Sequence, residues 1–171
     1  EPADRVTKAL VRQVLDDPAR RILASVAARG ESALDCLRVV ELAIERFGPP
    51  LRFLSDNGVA LNPTRRGYQG LLTRRLQALG VHTIASSPSK PTTCGKTERL
   101  HQTWEQWQRA QPEPETLQDL QRLADLFQDL YNNRPHQQLP GRCTPLQAWT
   151  ATPQAPPPRP NSRAMAPTSN T

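Results

Sequence analysis

The sequence lacks the features that mark secreted and membrane proteins. No apolar run is long enough to cross a bilayer, and the N-terminus has no charged-then-apolar signal pattern. The three cysteines, Cys36, Cys94 and Cys143, include no Cys-x-x-Cys spacing, so neither a disulfide framework nor a zinc knuckle is predicted. These absences favour a reduced, cytoplasmic setting without a membrane partner.

Composition predicts one domain and a tail. Hydrophobic residues make up 36% of the 171 positions, which is enough for one core. From about Thr150 onward, proline and small polar residues dominate. We therefore expect a folded domain over residues 1–149 and a disordered, Pro-rich tail over residues 150–171. The net charge of +6 favours a polyanionic partner, although a merely basic surface explains it equally well.

Apolar periodicity predicts alternating strands and helices. Two short apolar runs flank an Asp-Asp-Pro turn, which indicates an antiparallel hairpin at Leu10–Leu15 and Ile22–Ala28. Further strands are predicted at Leu51–Leu54 and Val81–Ala85, and helices at Leu34–Phe47, Tyr68–Leu79, Gly95–Arg109 and Leu120–Tyr131. Residues 132–149 are expected to be irregular. This order of elements predicts an α/β fold.

Two acids stand where strands and helices begin or end. Asp56 follows a predicted strand, and Glu98 lies between Lys96 and Arg99 in the first turn of a predicted helix. Carboxylates that converge from separate elements suit a divalent metal ion, since Mg²⁺ takes one or two of them. On spacing alone, however, structural roles carry more weight: Asp56 could cap a turn, and Glu98 could stabilise the helix dipole.

Several short motifs occur in a characteristic order. They are Ser55-Asp56-Asn57-Gly58, Ser86-Ser87-Pro88, the segment from Pro91 to Arg99, Tyr131-Asn132-Asn133-Arg134-Pro135-His136 and Thr144-Pro145. In this order and spacing they resemble the integrase core of bacterial insertion-sequence transposases. These DDE transposases are related to retroviral integrases and share the ribonuclease H-like fold. The resemblance extends from about Asp4 to Trp149.

The resemblance implies a ribonuclease H-like mixed sheet flanked by helices, and an enzyme of DNA transposition. In this family, Asp, Asp and Glu hold two Mg²⁺ or Mn²⁺ ions, and water or a 3′-hydroxyl attacks a DNA phosphodiester. Asp56 would be the second acid and Glu98 the third. The first should lie on a strand before the Leu10–Ala28 hairpin, and no residue of this chain matches it. We therefore expect an incomplete N-terminus, within a longer reading frame.

The implied partners are DNA and further copies of the chain, in a transposition complex at the nucleoid. Basic side chains near the two acids are candidates for phosphate contacts: Arg65, Arg66, Lys90, Lys96, Arg99 and His101. A solvated face explains Arg65 and Arg66 equally well, and His101 could be a solvated histidine. Trp104 and Trp107 could stack on bases, although their helical spacing favours core packing.

The missing first acid leaves two hypotheses. The chain is either the catalytic-core fragment of a transposase, or a non-catalytic remnant that binds nucleic acid through its basic surface. Glu105 favours the second, because integrase-type enzymes commonly place a DNA-contacting Lys at that position. The missing strand is central in the family's sheet, so we also expect a destabilised or partner-dependent fold.

The absence of a first acid predicts that this chain alone catalyses no strand transfer. A metal pair would lose its shared ligand. The check is an assay with terminal-repeat DNA and Mn²⁺, and product formed by this polypeptide would contradict the prediction.

Overall fold

The computed structural model describes residues 9–30, 32–55, 70–85 and 95–161. Their elements, in chain order, are β1 (Leu10–Leu15), β2 (Ile22–Ala28), α1 (Ala33–Phe47), β3 (Arg52–Ser55), α2 (Leu71–Ala78), β4 (His82–Ala85), α3 (Gly95–Gln108), α4 (Leu117–Asn133) and α5 (Pro145–Ala151). The predicted α/β order is confirmed. None of the helices in these ranges combines the length and apolarity that crossing a bilayer requires.

The four described strands form two separate ladders. β1 and β2 pair antiparallel, whereas β3 and β4 pair parallel, with Ser55 opposite Ala85. Over the described ranges, no ladder joins β1 to β3. A single apolar cluster nevertheless spans both sheets, because Val14 of β1 and Phe53 of β3 pack against the same buried residues of α1 and α2. Helix packing therefore connects the two ladders.

Because β2 contains a bulge, its side chains pack into two separate cores. Val14 pairs with Ala24 and Leu15 pairs with Ile22, so Leu23 has no partner of its own. Because side chains alternate along a strand, Ile22 would otherwise face the same side as Ala24. Instead, Ala24 lies in the cluster under α1 and α2, and Ile22 joins the cluster formed by α3 and α4.

Two side-chain amides of α4 satisfy backbone groups along β2. The Asn132 Oδ1 accepts from the Ile22 N–H at 2.8 Å, and its Nδ2 donates to the Ile22 carbonyl at 2.9 Å. The Gln121 Oε1 accepts from the Ala27 N–H at 2.8 Å, and its Nε2 donates to the Ser25 carbonyl at 3.0 Å. Buried backbone groups need such partners, so these amides fix the position of α4 on β2.

The prediction that residues 132–149 are irregular is wrong at their C-terminal end, where α5 forms. Its start has a capping box, in which the Thr144 hydroxyl accepts from the Gln147 N–H and the Gln147 side chain accepts from the Thr144 N–H. Proline at the first helical position supports the same boundary. Trp149 of α5 then packs against Phe47, with ring centroids 5.4 Å apart, and Arg21 lies over both rings.

Residues 153–161 contain no helix or strand. The segment nevertheless contacts α2, because the Asn161 N–H donates to the Ala78 carbonyl at 3.0 Å. The carbonyl oxygen of Arg159 lies 2.0 Å from the position that a Cβ on Gly80 would occupy, and Gly80 has a φ of 78°. Only glycine therefore fits at this contact without strain. The boundary between domain and tail stays a prediction.

Replacing Asn132 should destabilise the fold strongly. The change Asn132→Ala leaves the buried N–H and carbonyl of Ile22 without partners, which costs roughly 2–4 kcal/mol in free energy of unfolding. The matched control is Asn133→Ala, because Asn133 is exposed and bonds only to the Asp129 carbonyl of its own helix. Urea unfolding of both variants provides the check, and equal losses would contradict the role assigned to Asn132.

Candidate active site and its surroundings

Glu98 is exposed in the first turn of α3. The buried residues of this helix, Leu100 and Trp104, face the core under α4. Among the described residues, no cation lies within ion-pair distance of the Glu98 carboxylate. Its oxygens are therefore accessible, and the positive end of the helix dipole favours their negative charge.

Lys96 pairs with the β1–β2 turn and not with Glu98. Its Nζ lies 2.7 Å from the Asp17 Oδ2, and the two side chains are 36% and 68% exposed. An ion pair with this exposure contributes at most about 1 kcal/mol. Its structural consequence is larger, because it joins the first turn of α3, and Glu98 with it, to the turn of the hairpin.

Asp16, which precedes Asp17 in the β1–β2 turn, is half-buried. Its Oδ2 accepts a hydrogen bond from the Ala19 N–H at 2.8 Å, which closes the turn. Burial raises the pKa of the Asp16 carboxyl above its ordinary value, and the neighbouring Asp17 raises it further. The Ala19 hydrogen bond and the charges of Lys96 and Arg21 oppose this shift without cancelling it.

The two tryptophans of α3 pack in the protein. Trp104 is buried with its ring centroid 5.1 Å from that of Phe127, and Trp107 is half-buried at 5.3 Å from the same ring. The preference for core packing over base stacking is therefore confirmed for Trp104. Arg99 and His101, in contrast, are exposed on α3 and reach solvent.

The other candidate site residues, Asp56, Arg65, Arg66 and Lys90, lie outside the described residues. The described strands show from which edge of the sheet the chain continues to Asp56. β3 and β4 are parallel and end together at Ser55 and Ala85, so the chain leaves both at the same edge of their sheet. Asp56 directly follows Ser55 in the sequence. Its pairing with Glu98 stays a prediction.

The donor chemistry of Glu98 suits a hard divalent cation. An accessible carboxylate can supply one of the oxygen ligands that Mg²⁺ prefers, with water and substrate phosphate in the other positions. Within the part of the chain that the structure describes, no group of three or more His, Cys, Asp or Glu side chains could hold a metal ion. Of the two candidate ligands, Asp56 and Glu98, only Glu98 lies within the described residues.

Known proteins share this architecture. Residues 79–145 match the family model of the integrase core domain. The catalytic core domain of BIV integrase aligns with a TM-score of 0.61 at 18% identity, over 85% of this chain and 88% of its own. The HTLV-2 integrase catalytic core domain, solved in complex with magnesium, aligns with a TM-score of 0.58 at 14% identity, over 82% of this chain and 92% of its own. The chain has the fold of an integrase catalytic core.

A third similar structure is a chain of the simian T-cell lymphotropic virus intasome, in complex with PP2A regulatory subunit B56 gamma. It aligns with a TM-score of 0.60 at 15% identity, over 94% of this chain and 53% of its own. The family match to the integrase core contains Glu98 and the motif from Tyr131 to His136, but it begins after Asp56. The expected ribonuclease H-like fold is confirmed.

Asp16→Asn should stabilise the protein at neutral pH. Burial raises the folded-state pKa of the carboxyl, so its ionisation opposes folding, and the cost is present in full above that pKa. Asparagine cannot ionise, yet its Oδ1 can still accept from the Ala19 N–H.

The stability gain should be present at pH 7 and disappear below about pH 4, where Asp is protonated in the unfolded chain as well. Urea unfolding at both pH values measures it. Asp17→Asn is the comparison variant, since it removes the exposed pair with Lys96 and the neighbouring negative charge but leaves the Asp16 carboxyl able to ionise. A gain that is independent of pH, or a loss at pH 7, would contradict the assignment.

Proposed function

We propose that this chain is the catalytic-core part of a DNA transposase or integrase, with Asp56 and Glu98 as ligands for Mg²⁺ or Mn²⁺. The observation that carries the proposal is the accessible Glu98 carboxylate. It opens α3 inside the segment that matches the integrase core domain, and no described cation pairs with it. A solved core of the same fold, that of HTLV-2 integrase, was obtained in complex with magnesium.

The chain's own residues would bind and orient the substrate. Glu98 would offer its carboxylate from the first turn of α3, which the Lys96–Asp17 pair joins to the hairpin. Asp56 would offer the second carboxylate from the chain that leaves β3. A bound pair of divalent ions would supply charge stabilisation to the attacking and leaving oxygens of an in-line phosphoryl transfer. Arg99 and His101, exposed on the same helix, would orient the DNA backbone.

The proposed partners are DNA and further copies of the chain. The net charge of +6 supports DNA. The similar simian virus chain was solved within an intasome, which supports an assembly of several copies as the working form.

A non-catalytic DNA-binding role is the second candidate. The observation that favours it is Glu105, an exposed acid on α3 seven residues after Glu98, where integrase-type enzymes commonly place a DNA-contacting Lys. In that case Glu98 would stabilise only the start of α3, and the basic surface would hold DNA without cleaving it. The two candidates differ in whether Glu98 binds a divalent ion.

Metal binding at Glu98 can be tested by paramagnetic broadening. In NMR spectra of the ¹⁵N-labelled chain, stoichiometric Mn²⁺ should broaden the amide resonances of Ser55 and of the first turn of α3. Glu98→Gln should abolish the broadening on α3. Glu105→Gln is the matched control, because it removes an equal charge from an exposed site on the same helix.

Two outcomes would decide against the catalytic proposal. Wild-type spectra without broadening on α3 would support the non-catalytic role. Broadening that persists in Glu98→Gln would show that Mn²⁺ binds elsewhere, and it would remove Glu98 from the site.

A further inference from the structure

Three arginines from three different elements converge at the C-terminal end of α4. Arg20 belongs to the β1–β2 turn, Arg99 to α3, and Arg134 caps the end of α4. We call these three residues the arginine cluster. His136, two residues beyond α4's cap, lies beside it with its ring centroid 6.1 Å from that of Tyr131.

Long-range contacts bring the cluster together. The Lys96–Asp17 pair sets the first turn of α3 against the β1–β2 turn, which places Arg99 near Arg20. The two hydrogen bonds between Asn132 and Ile22 set the end of α4 against the start of β2. Arg134 follows Asn132 by two residues, and Arg20 precedes Ile22 by two, so these arginines meet at the same end of the molecule.

The electrostatics of His136 agree with this placement. Burial lowers the pKa of its imidazole most, and the charges of Arg20, Arg134 and Arg99 each lower it further. Tyr131, on the last turn of α4, has its pKa raised by burial, and the charges of Arg20 and Arg134 act against this rise. One small region of the surface therefore feels the field of all three guanidinium groups.

The described residues leave this positive charge uncompensated. No described carboxylate lies within ion-pair distance of any member of the cluster. The two acids of the β1–β2 turn have other partners: Asp17 pairs with Lys96, and Asp16 accepts from the Ala19 N–H. Glu98 precedes Arg99 in the chain but is not paired with it. Like charges gathered without a counter-charge repel one another, and an anion would relieve this cost.

The backbone at Arg20 adds a second cost. Its φ of 58° lies in the left-handed region, where a side chain other than glycine is disfavoured by about 1 kcal/mol. Arg99 and Arg134 are exposed, whereas Arg20 and His136 are half-buried. The region therefore presents accessible guanidinium groups beside the partly enclosed imidazole of His136. Guanidinium groups bind phosphate oxygens through paired hydrogen bonds.

We propose that the arginine cluster and His136 form a binding site for a backbone phosphate of DNA. The proposal rests on the proposed function and deepens it, because it names where the DNA strand runs. Arg99 follows Glu98 directly on α3, so a strand held by the cluster would pass beside the Glu98 carboxylate. The contact would carry no sequence information, since it would recognise phosphate and no base edge.

The first test compares two triple variants of the full chain in DNA binding. Arg20, Arg99 and Arg134 are changed to Gln in one. In the other, the three exposed arginines Arg38, Arg46 and Arg109 are changed to Gln, which removes the same charge elsewhere. Fluorescence anisotropy with a labelled 20-base-pair duplex gives the affinity at several salt concentrations. Thermal unfolding of each variant checks that the fold is retained.

The cluster variant should lose affinity about tenfold or more, and the slope of log K against log salt should fall by about 2–3 in magnitude. In the control variant, the slope of log K against log salt should fall by less than about one unit in magnitude. Equal losses in the two variants would overturn the site while leaving the proposed function in place. Absence of DNA binding by the wild-type chain would overturn both.

The second test uses inorganic phosphate and does not depend on the proposed function. The chain has three histidines, so the His136 ring resonance can be assigned with His136→Gln. Phosphate should raise the His136 pKa in the wild-type chain, because the anion offsets the three guanidinium charges, and the cluster variant should show a smaller rise. An unchanged His136 pKa in the wild-type chain would overturn the site. A rise without DNA binding would show an anion site and refute the DNA assignment.

Discussion

The fold depends on satisfying the backbone of β2, a strand that is buried on both faces. Its ladder to β1 does not pair every backbone N–H and carbonyl of the strand. The amides of Gln121 and Asn132, on α4, supply hydrogen-bond partners for the remaining groups at Ile22, Ser25 and Ala27. The bulge at Leu23 then turns Ile22 toward α4 while Ala24 stays under α1. One seven-residue strand thereby joins both cores of the protein.

The same contacts position the functional surface. Fixing α4 on β2 brings the end of α4 to the hairpin turn, and the Lys96–Asp17 pair brings the start of α3 to the same place. Glu98 and Arg99 thus lie at the start of α3, which the Lys96–Asp17 pair joins to the hairpin turn. The second candidate acid follows β3, whose ladder with β4 is joined to the hairpin by the packing of α1 and α2 and by no strand pairing in the described ranges.

Local sequence patterns predicted the strands and helices, but they could not predict the contacts between residues far apart in the sequence. Both hairpin strands have the predicted bounds, because apolar runs around an Asp-Pro turn are a local pattern. The α5 helix could also have been found, from Thr144-Pro145 and Gln147. The Asn132–Ile22 and Lys96–Asp17 contacts join residues 110 and 79 positions apart. No periodicity encodes them, so the arginine cluster and the actual partner of Lys96 emerged only with the structure.

The proposed function requires that Asp56 and Glu98 together hold a divalent ion. The most direct test is anomalous X-ray diffraction from crystals of the chain grown with Mn²⁺ and DNA. We expect a manganese peak about 2.0–2.2 Å from a carboxylate oxygen of each residue. A well-ordered structure in which the two carboxylates lie too far apart to share or bridge ions roughly 4 Å apart would contradict it.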